Sequence, residues 1–293
     1  MLSDVGESVP DAPRPSLEVK AFGLSHIGSV RKTNEDQFLV AELAKTMRIR
    51  YTSLPEPKVQ FGNERGHLFL VADGMGGHAA GEFASAMAVT AIQQFTLNTL
   101  KWFFRPGGAD AQRVLAQFQT ALREAEARIF EVTTEHPDLA GMGTTVTLAY
   151  QLDSQLCIVH AGDSRAYIFE DGHLRQVTHD HTLAAELVRK GAIRPDDVAR
   201  HRLRNLITNV VGGNEALHFV ESHALELQAG DRLLLCSDGL TEMLSNDVIA
   251  ATLRDEPEPD AACQTLVAMA NDAGGRDNIT VVIARFDAGA PAD

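Results

Sequence analysis

Short apolar runs, punctuated by glycine and aspartate, dominate the chain. Gln37–Ala41, His67–Ala72, Thr144–Gln151, Gln155–Ala161, Arg165–Glu170, Ala216–Leu227, Asp231–Cys236 and Ile279–Phe286 read as strands. Several carry Val, Ile, Leu and Phe between turn-forming residues, as buried strands do. Asp153-Ser154 and Asp171-Gly172 predict hairpin turns. Helical spacing follows elsewhere. From about Gly81 to Leu100, Phe83, Met87, Ala91 and Phe95 recur every four residues and predict one buried face. From about Ala109 to Thr134, Leu115, Phe118, Leu122, Ala125 and Ile129 alternate spacings of three and four, an amphipathic helix. Pro106-Gly107-Gly108 separates the two. Asp260–Ala273 predicts a further helix stopped by Gly274-Gly275, and Thr182–Lys190 a short one.

Strands therefore come first, then a helix pair, then a run of strands, then more helix. One-for-one alternation would favour a parallel sheet. This order favours an α+β fold, antiparallel sheets with helix pairs packed outside. No linker divides the strand series, so residues 17–287 are expected to form a single domain. Residues 1–16, acidic and with prolines at 10, 13 and 15, are expected to be a disordered tail, and 288–293 a second short tail.

Of 293 residues, 44% are hydrophobic and 23% charged, too apolar for a disordered chain and enough for a core without staples. Cys157, Cys236 and Cys263 are far apart, with no CxxC spacing, which argues for a reducing compartment and against a zinc site. Forty acidic residues against 26 basic give a net charge of −14. Such a surface repels phosphate backbones and anionic lipid, so neither nucleic acid nor a membrane is expected as a partner. No run approaches the roughly 20 apolar residues that span a bilayer. The first residues lack the basic and apolar regions of a signal peptide. A cytoplasmic monomer is expected.

Residues 42–66 form a long connection between two strands. Lys45, Arg48, Arg50, Lys58 and Arg65 outnumber Glu42, Glu56 and Glu64 there. A tolerated surface insertion and a docking loop for an acidic partner both fit.

The informative acidic residues lie beside glycine at strand ends. Asp73-Gly74 ends an apolar strand within Val71-Ala72-Asp73-Gly74-Met75-Gly76-Gly77-His78, which opens a helix. Asp163 sits in Gly162-Asp163-Ser164-Arg165 between two strands. Asp238-Gly239 ends another strand, Asp277 precedes the last, and Asn34-Glu35-Asp36 precedes the first. One Asp-Gly is ordinarily a turn. Several carboxylates converging without a cation would repel one another severely. An all-oxygen set suits Mg2+ or Mn2+ rather than zinc or copper, and a glycine lets a backbone carbonyl such as that of Gly74 join it.

These motifs, with Arg31, Gly143-Thr144-Thr145, Thr178-x-Asp180-His181 and Gly274-Gly275-Arg276-Asp277-Asn278-Ile279-Thr280, stand in the order seen in metal-dependent protein phosphatases of type 2C. The chain resembles a bacterial member from roughly Phe22 to Phe286. The resemblance implies an α-β-β-α sandwich and Mn2+- or Mg2+-dependent hydrolysis of phosphoserine and phosphothreonine in proteins. It implies that Asp73 bridges two tightly bound metals, that Asp238 and Asp277 complete one site, and that the Gly74 carbonyl binds the other metal. Glu35 and Asp36 would act there directly or through water. Asp163 resembles the residue that binds a third, weaker metal, and Arg31 the arginine that holds the substrate phosphate. A hydroxide shared by the metals would attack phosphorus in line, without a phosphoenzyme. Met75 stands where many eukaryotic members have a histidine, which leaves His78 or a metal-bound water as the acid. Residues 182–209 match the family's flap segment. Arg189, Lys190, Arg194, Arg200, Arg202 and Arg204 make it cationic, suited to an acidic phosphorylated loop or simply solvated. A serine/threonine protein kinase is implied as the counterpart. The retained carboxylates argue against a non-catalytic binding module, and the acidic charge against a two-metal nuclease.

Overall fold

The computed structural model describes residues 17–44, 65–76, 80–98, 108–194, 197–198 and 201–289. In chain order the elements are β1 (Leu17–His26), β2 (Asp36–Ala44), β3 (Arg65–Met75), α1 (Ala80–Asn98), α2 (Gly108–Glu135), β4 (Gly143–Thr144), β5 (Val146–Leu152) and β6 (Gln155–Ala161). There follow β7 (Arg165–Glu170), β8 (His173–Gln176), α3 (Leu183–Arg189), β9 (Val211–Gly212), β10 (Glu221–Glu226) and β11 (Arg232–Cys236). The short α4 (Asp238–Thr241), α5 (Asn246–Asp255), α6 (Pro259–Asp272) and β12 (Ile279–Ala288) complete the described chain.

The strands form two sheets. One has five strands in the order β1-β12-β11-β7-β8; the other has seven, β10-β6-β5-β3-β4-β9, with β2 paired to β3. Every ladder among the described residues is antiparallel.

The two-residue period of β3 shows why the layers stack. Leu68, Leu70 and Ala72 face α1 and α2, where they meet Ala84, Ala88, Ile92, Phe118, Leu122 and Ile129. Phe69 and Val71 point the other way, into an interior shared with Ile168, Leu233, Leu235, Val282, Ala284 and Phe286 of the five-stranded sheet. The outer face of that sheet supplies Leu234, Val281 and Ile283 to a third cluster with Ile249, Leu253, Cys263 and Leu266 of α5 and α6. Helices, sheet, sheet and helices thus alternate, the expected α-β-β-α sandwich.

Both hairpin turns occur as expected. Asp153 has φ 52°, and Asp171 and Gly172 have φ 50° and 79°, as tight hairpin connections require. The α2 stripe of Leu115, Phe118, Leu122, Ala125 and Ile129 is buried throughout.

Several expectations need correction. On α1, Phe83 is exposed; the buried face is Ala80, Ala84, Ala88, Ala91, Ile92 and Phe95, and its four alanines let the helix lie close to β3. The strand expected at Ala216–Leu227 begins only at Glu221. The sequence pattern does not mark β1, β8, β9, α4 or α5. The connection expected over 42–66 is shorter, because Glu42, Leu43 and Ala44 pair with His67, Gly66 and Arg65. Arg65 and Glu42, both counted in its charge, are ion-paired at 3.0 Å. The rest of that segment, residues 45–64, lies outside the described residues, as do residues 1–16 and 290–293. At the C-terminal end, β12 runs on to Ala288, one residue into the expected tail. Among the described residues no helix is long and apolar enough to cross a membrane.

Candidate metal centre

The two sheets bring carboxylates to one place. Asp36 opens β2, and its register partner on β3 is Asp73. From the other sheet, Asp238 follows β11 and starts α4, while Asp277 precedes the neighbouring β12. Asp163 sits between β6 and β7, the connection from one sheet to the other.

Backbone and hydroxyl contacts fix each carboxylate. Asp73 is held on both sides of its peptide: its N–H donates to Thr145 Oγ1 (3.0 Å), and its carbonyl accepts from Thr145 N (2.8 Å) and Thr144 Oγ1 (2.9 Å). Asp36 Oδ2 accepts from Ser237 Oγ and Thr280 Oγ1, each at 2.7 Å, so residues of the five-stranded sheet hold a carboxylate of the other. Asn278 ties the 27–35 loop to β12. Its Nδ2 donates to the carbonyls of Ile27 and Thr33, both at 2.9 Å, and its Oδ1 accepts from Glu35 N at 2.8 Å. Gly74 runs so close to α1 that a Cβ there would lie 2.1 Å from the Gly81 carbonyl oxygen, so only glycine fits.

The charges reinforce one another. Burial first, then the charges of Asp36, Asp238, Asp163 and Asp277, hold Asp73 well above the usual carboxylate range. Asp238 is raised likewise by burial and by Asp163 and Asp277. Burial pushes Asp36 up to about 6 against the lowering effect of its two hydroxyl donors. Asp163 is pushed up to about 7, by burial and then Asp180. Glu35 is raised by burial, with Arg31 opposing.

Three buried oxygens, Oδ1 of Asp36, of Asp163 and of Asp238, accept no hydrogen bond. Buried polar atoms are almost always satisfied, and these three belong to groups that also repel one another. A divalent cation with oxygen ligands removes both penalties. The residues present therefore fit such ions.

Arg31 stands at the rim, half exposed, with Nη2 2.5 Å from Asp277 Oδ2. Beside the centre a cavity of about 1000 Å3 is lined by Asp163, Asp238, Arg189, Arg204 and Arg276, among others. Its wall is braced by Arg165, which donates through Nε and Nη2 to both oxygens of Asp180 (2.8 and 2.6 Å). Part of the positive charge of 182–209 is locally paired: Lys190 with Glu186, Arg194 with Asp197 and Arg204 with Glu242.

Of the residues singled out in the sequence, Arg31, Glu35, Asp36, Asp73, Gly74, Asp163, Asp238 and Asp277 thus gather at one end of the two sheets. His78 lies outside the described residues. Sequence reasoning assigned nothing to Ser237, Thr280 and Asn278, although each lies within two residues of a flagged aspartate or inside the same motif.

Residues 58–274 match the family described as protein phosphatase 2C. The serine/threonine protein phosphatase PstP of Mycobacterium tuberculosis is 39% identical over 217 residues, 74% of this chain, which spans 40% of that protein's length. The serine/threonine phosphatase stp of Listeria monocytogenes is 33% identical over 240 residues, 82% of this chain and 92% of its own. A crystal structure of the catalytic domain of PstP, in complex with 2 manganese ions, superposes with a TM-score of 0.72 at 34% identity, covering 93% of this chain and 100% of that one. The chain belongs to the protein phosphatase 2C family.

Proposed function

We propose that the chain hydrolyses phosphoserine and phosphothreonine in proteins, with two Mn2+ or Mg2+ ions held at the carboxylate centre. The observation that carries this reading is the set of buried carboxylate oxygens without donors on Asp36, Asp163 and Asp238. Asp73 would help to hold both ions. Asp238 and Asp277 would help to hold one, the Gly74 carbonyl the other, with Glu35 and Asp36 acting directly or through water, and Asp163 would hold a third, weaker one. Bound there, the ions lower the pKa of a water molecule and offset phosphoryl charge.

The chain's own groups do the rest. Arg31 presents a planar fork that can donate two hydrogen bonds to two phosphate oxygens. Ser237 and Thr280 keep Asp36 Oδ2 occupied, so its other oxygen is the one turned to a ligand. Burial pushes the thiols of Cys236 and Cys263 up to about 12 and that of Cys157 up to about 11, so none is a nucleophile at neutral pH. On the family resemblance, water is assigned as the attacking group, in line with the leaving alcohol and without a phosphoenzyme. His78 is our candidate for protonating that alcohol. Residues 17–287 act as one catalytic domain in which 182–209 is the flap over the substrate. The enzyme works as a cytoplasmic monomer that reverses a serine/threonine protein kinase.

The test is hydrolysis of a phosphothreonine peptide after EDTA treatment. Mn2+ restores activity to the wild-type chain, and Asp238→Asn loses it by more than about 100-fold. Undiminished turnover in metal-free buffer overturns the assignment.

A further inference from the structure

A second cluster of titratable groups lies on the edge of the seven-stranded sheet, and the proposed reaction uses none of it. Register places Glu221 of β10 opposite His160 of β6. His179 and His181 arrive from the segment between β8 and α3, and His223 lies two residues along β10. Glu221 is the hub. Its Oε1 accepts from His179 Nδ1 at 2.8 Å and His223 Nε2 at 2.6 Å, and its Oε2 accepts from His181 Nε2 at 3.0 Å. A carboxylate only accepts, so each facing ring nitrogen carries the proton.

The histidines divide by what their nitrogens already do. His160 is spoken for on both sides: Nδ1 meets the Thr147 hydroxyl, and Nε2 meets the carbonyls of Gly162 and His179. His181 is buried, and its Nδ1 accepts the Gly162 N–H at 3.1 Å. His179 and His223 differ. Their side chains are 65% and 26% exposed, and the ligand atoms of His179, Glu221 and His223 all lie within 4.8 Å of one another.

We propose that His179 Nδ1, Glu221 Oε1 and His223 Nε2 form a zinc site, separate from the carboxylate centre, with a water in the remaining position. Two imidazoles and one carboxylate are a zinc donor set, whereas Mn2+ and Mg2+ prefer oxygen. Tetrahedral ligands at zinc distances stand about 3.3 Å apart, so the two hydrogen bonds open by about 0.6 Å. Exposed His179 and half-buried His223 can supply that movement by small rotations. Binding displaces the proton from each facing nitrogen to solvent, and each neutral ring then carries its proton on the other nitrogen, Nε2 of His179 and Nδ1 of His223. Glu221 Oε2 stays bonded to His181, which supplies the outer support that orients a ligating carboxylate. The ion would fasten β10 to the segment that leads into α3.

The test uses the full chain in excess Mg2+, which occupies the oxygen-only centre, with Zn2+ and Cu2+ as probes. Equilibrium dialysis is expected to show wild type retaining one Zn2+ per chain more than His179→Ala or His223→Ala, with affinity lowered at least about 100-fold in each. Cu2+ bound at the site is expected to show nitrogen hyperfine coupling by electron paramagnetic resonance, lost in His223→Ala and kept in Asp238→Asn. Zn2+ retention equal to wild type in either histidine variant, or a Cu2+ spectrum without nitrogen coupling, overturns the proposal. Because the readouts are binding and spectroscopy, they stand apart from the phosphatase assay.

Discussion

Replacing Asp163 by asparagine in the metal-free protein isolates the strain in the carboxylate centre. An unfolded aspartate releases its proton near 3.8, whereas burial and Asp180 make folded Asp163 keep its proton up to about 7. Between those values the folded chain binds more protons than the unfolded one. Stability therefore falls as pH rises through this window, and the loss is complete above about 7. At 1.36 kcal/mol per pH unit, ionising Asp163 in the fold costs about 4 kcal/mol. Neighbouring carboxylates share that cost, so about 2–4 kcal/mol is the expected gain for Asp163→Asn near pH 8. Near pH 4 the two proteins are expected to match. The assay is guanidinium unfolding in EDTA at several pH values between these limits. With Mn2+ added the advantage is expected to shrink or reverse, because the carboxylate then has a cation to hold. No gain for Asp163→Asn near pH 8 without metal, or pH profiles that run parallel, would refute the reasoning.

Three further outcomes are expected. Arg31→Lys keeps the charge but loses the fork, and kcat/KM for a phosphopeptide falls about 10–100-fold; unchanged kinetics would remove Arg31 from phosphate binding. Gly74→Ala places a methyl 2.1 Å from the Gly81 carbonyl oxygen and is expected to destabilise the fold by about 3 kcal/mol or more, read as a lower Tm; a wild-type Tm would contradict the close approach. Leu70→Ala empties a fully buried position under α1 and α2 and costs about 2–5 kcal/mol by denaturant unfolding; a loss below about 1 kcal/mol would mean that the interface collapses to fill the space.

Local chemistry made much of this protein legible in its sequence. Asp171-Gly172 announces its turn because few residues adopt a positive φ, and the α2 stripe announces its face because one side of that helix is buried along its length. β1 is harder. Leu17, Val19 and Ala21 alternate with exposed Glu18, Lys20 and Phe22, but the strand lies at a sheet edge and even its inward face is only half buried, so the signal is weak. The Phe83 expectation failed because periodicity counts large apolar residues, whereas α1 is seated by alanines. At the candidate metal centre, aspartates such as Asp73 and Asp238 stand out through their glycine neighbours. Ser237 and Thr280 did not, since their role depends on the two sheets meeting face to face. The Glu221 hub was invisible for a similar reason: His179 is 42 positions away and joins it only through the fold.

The β2–β3 hairpin separates two kinds of position. Asp36 opposes Asp73 at one end, and Ala44 opposes Arg65 at the other. Eight steps of about 3.3 Å set these ends about 26 Å apart, with a continuous ladder between them acting as a ruler. Because side chains alternate between faces, a slip of one residue anywhere along this ladder would carry Asp36 out of line with Asp73 and turn its carboxylate to the opposite face.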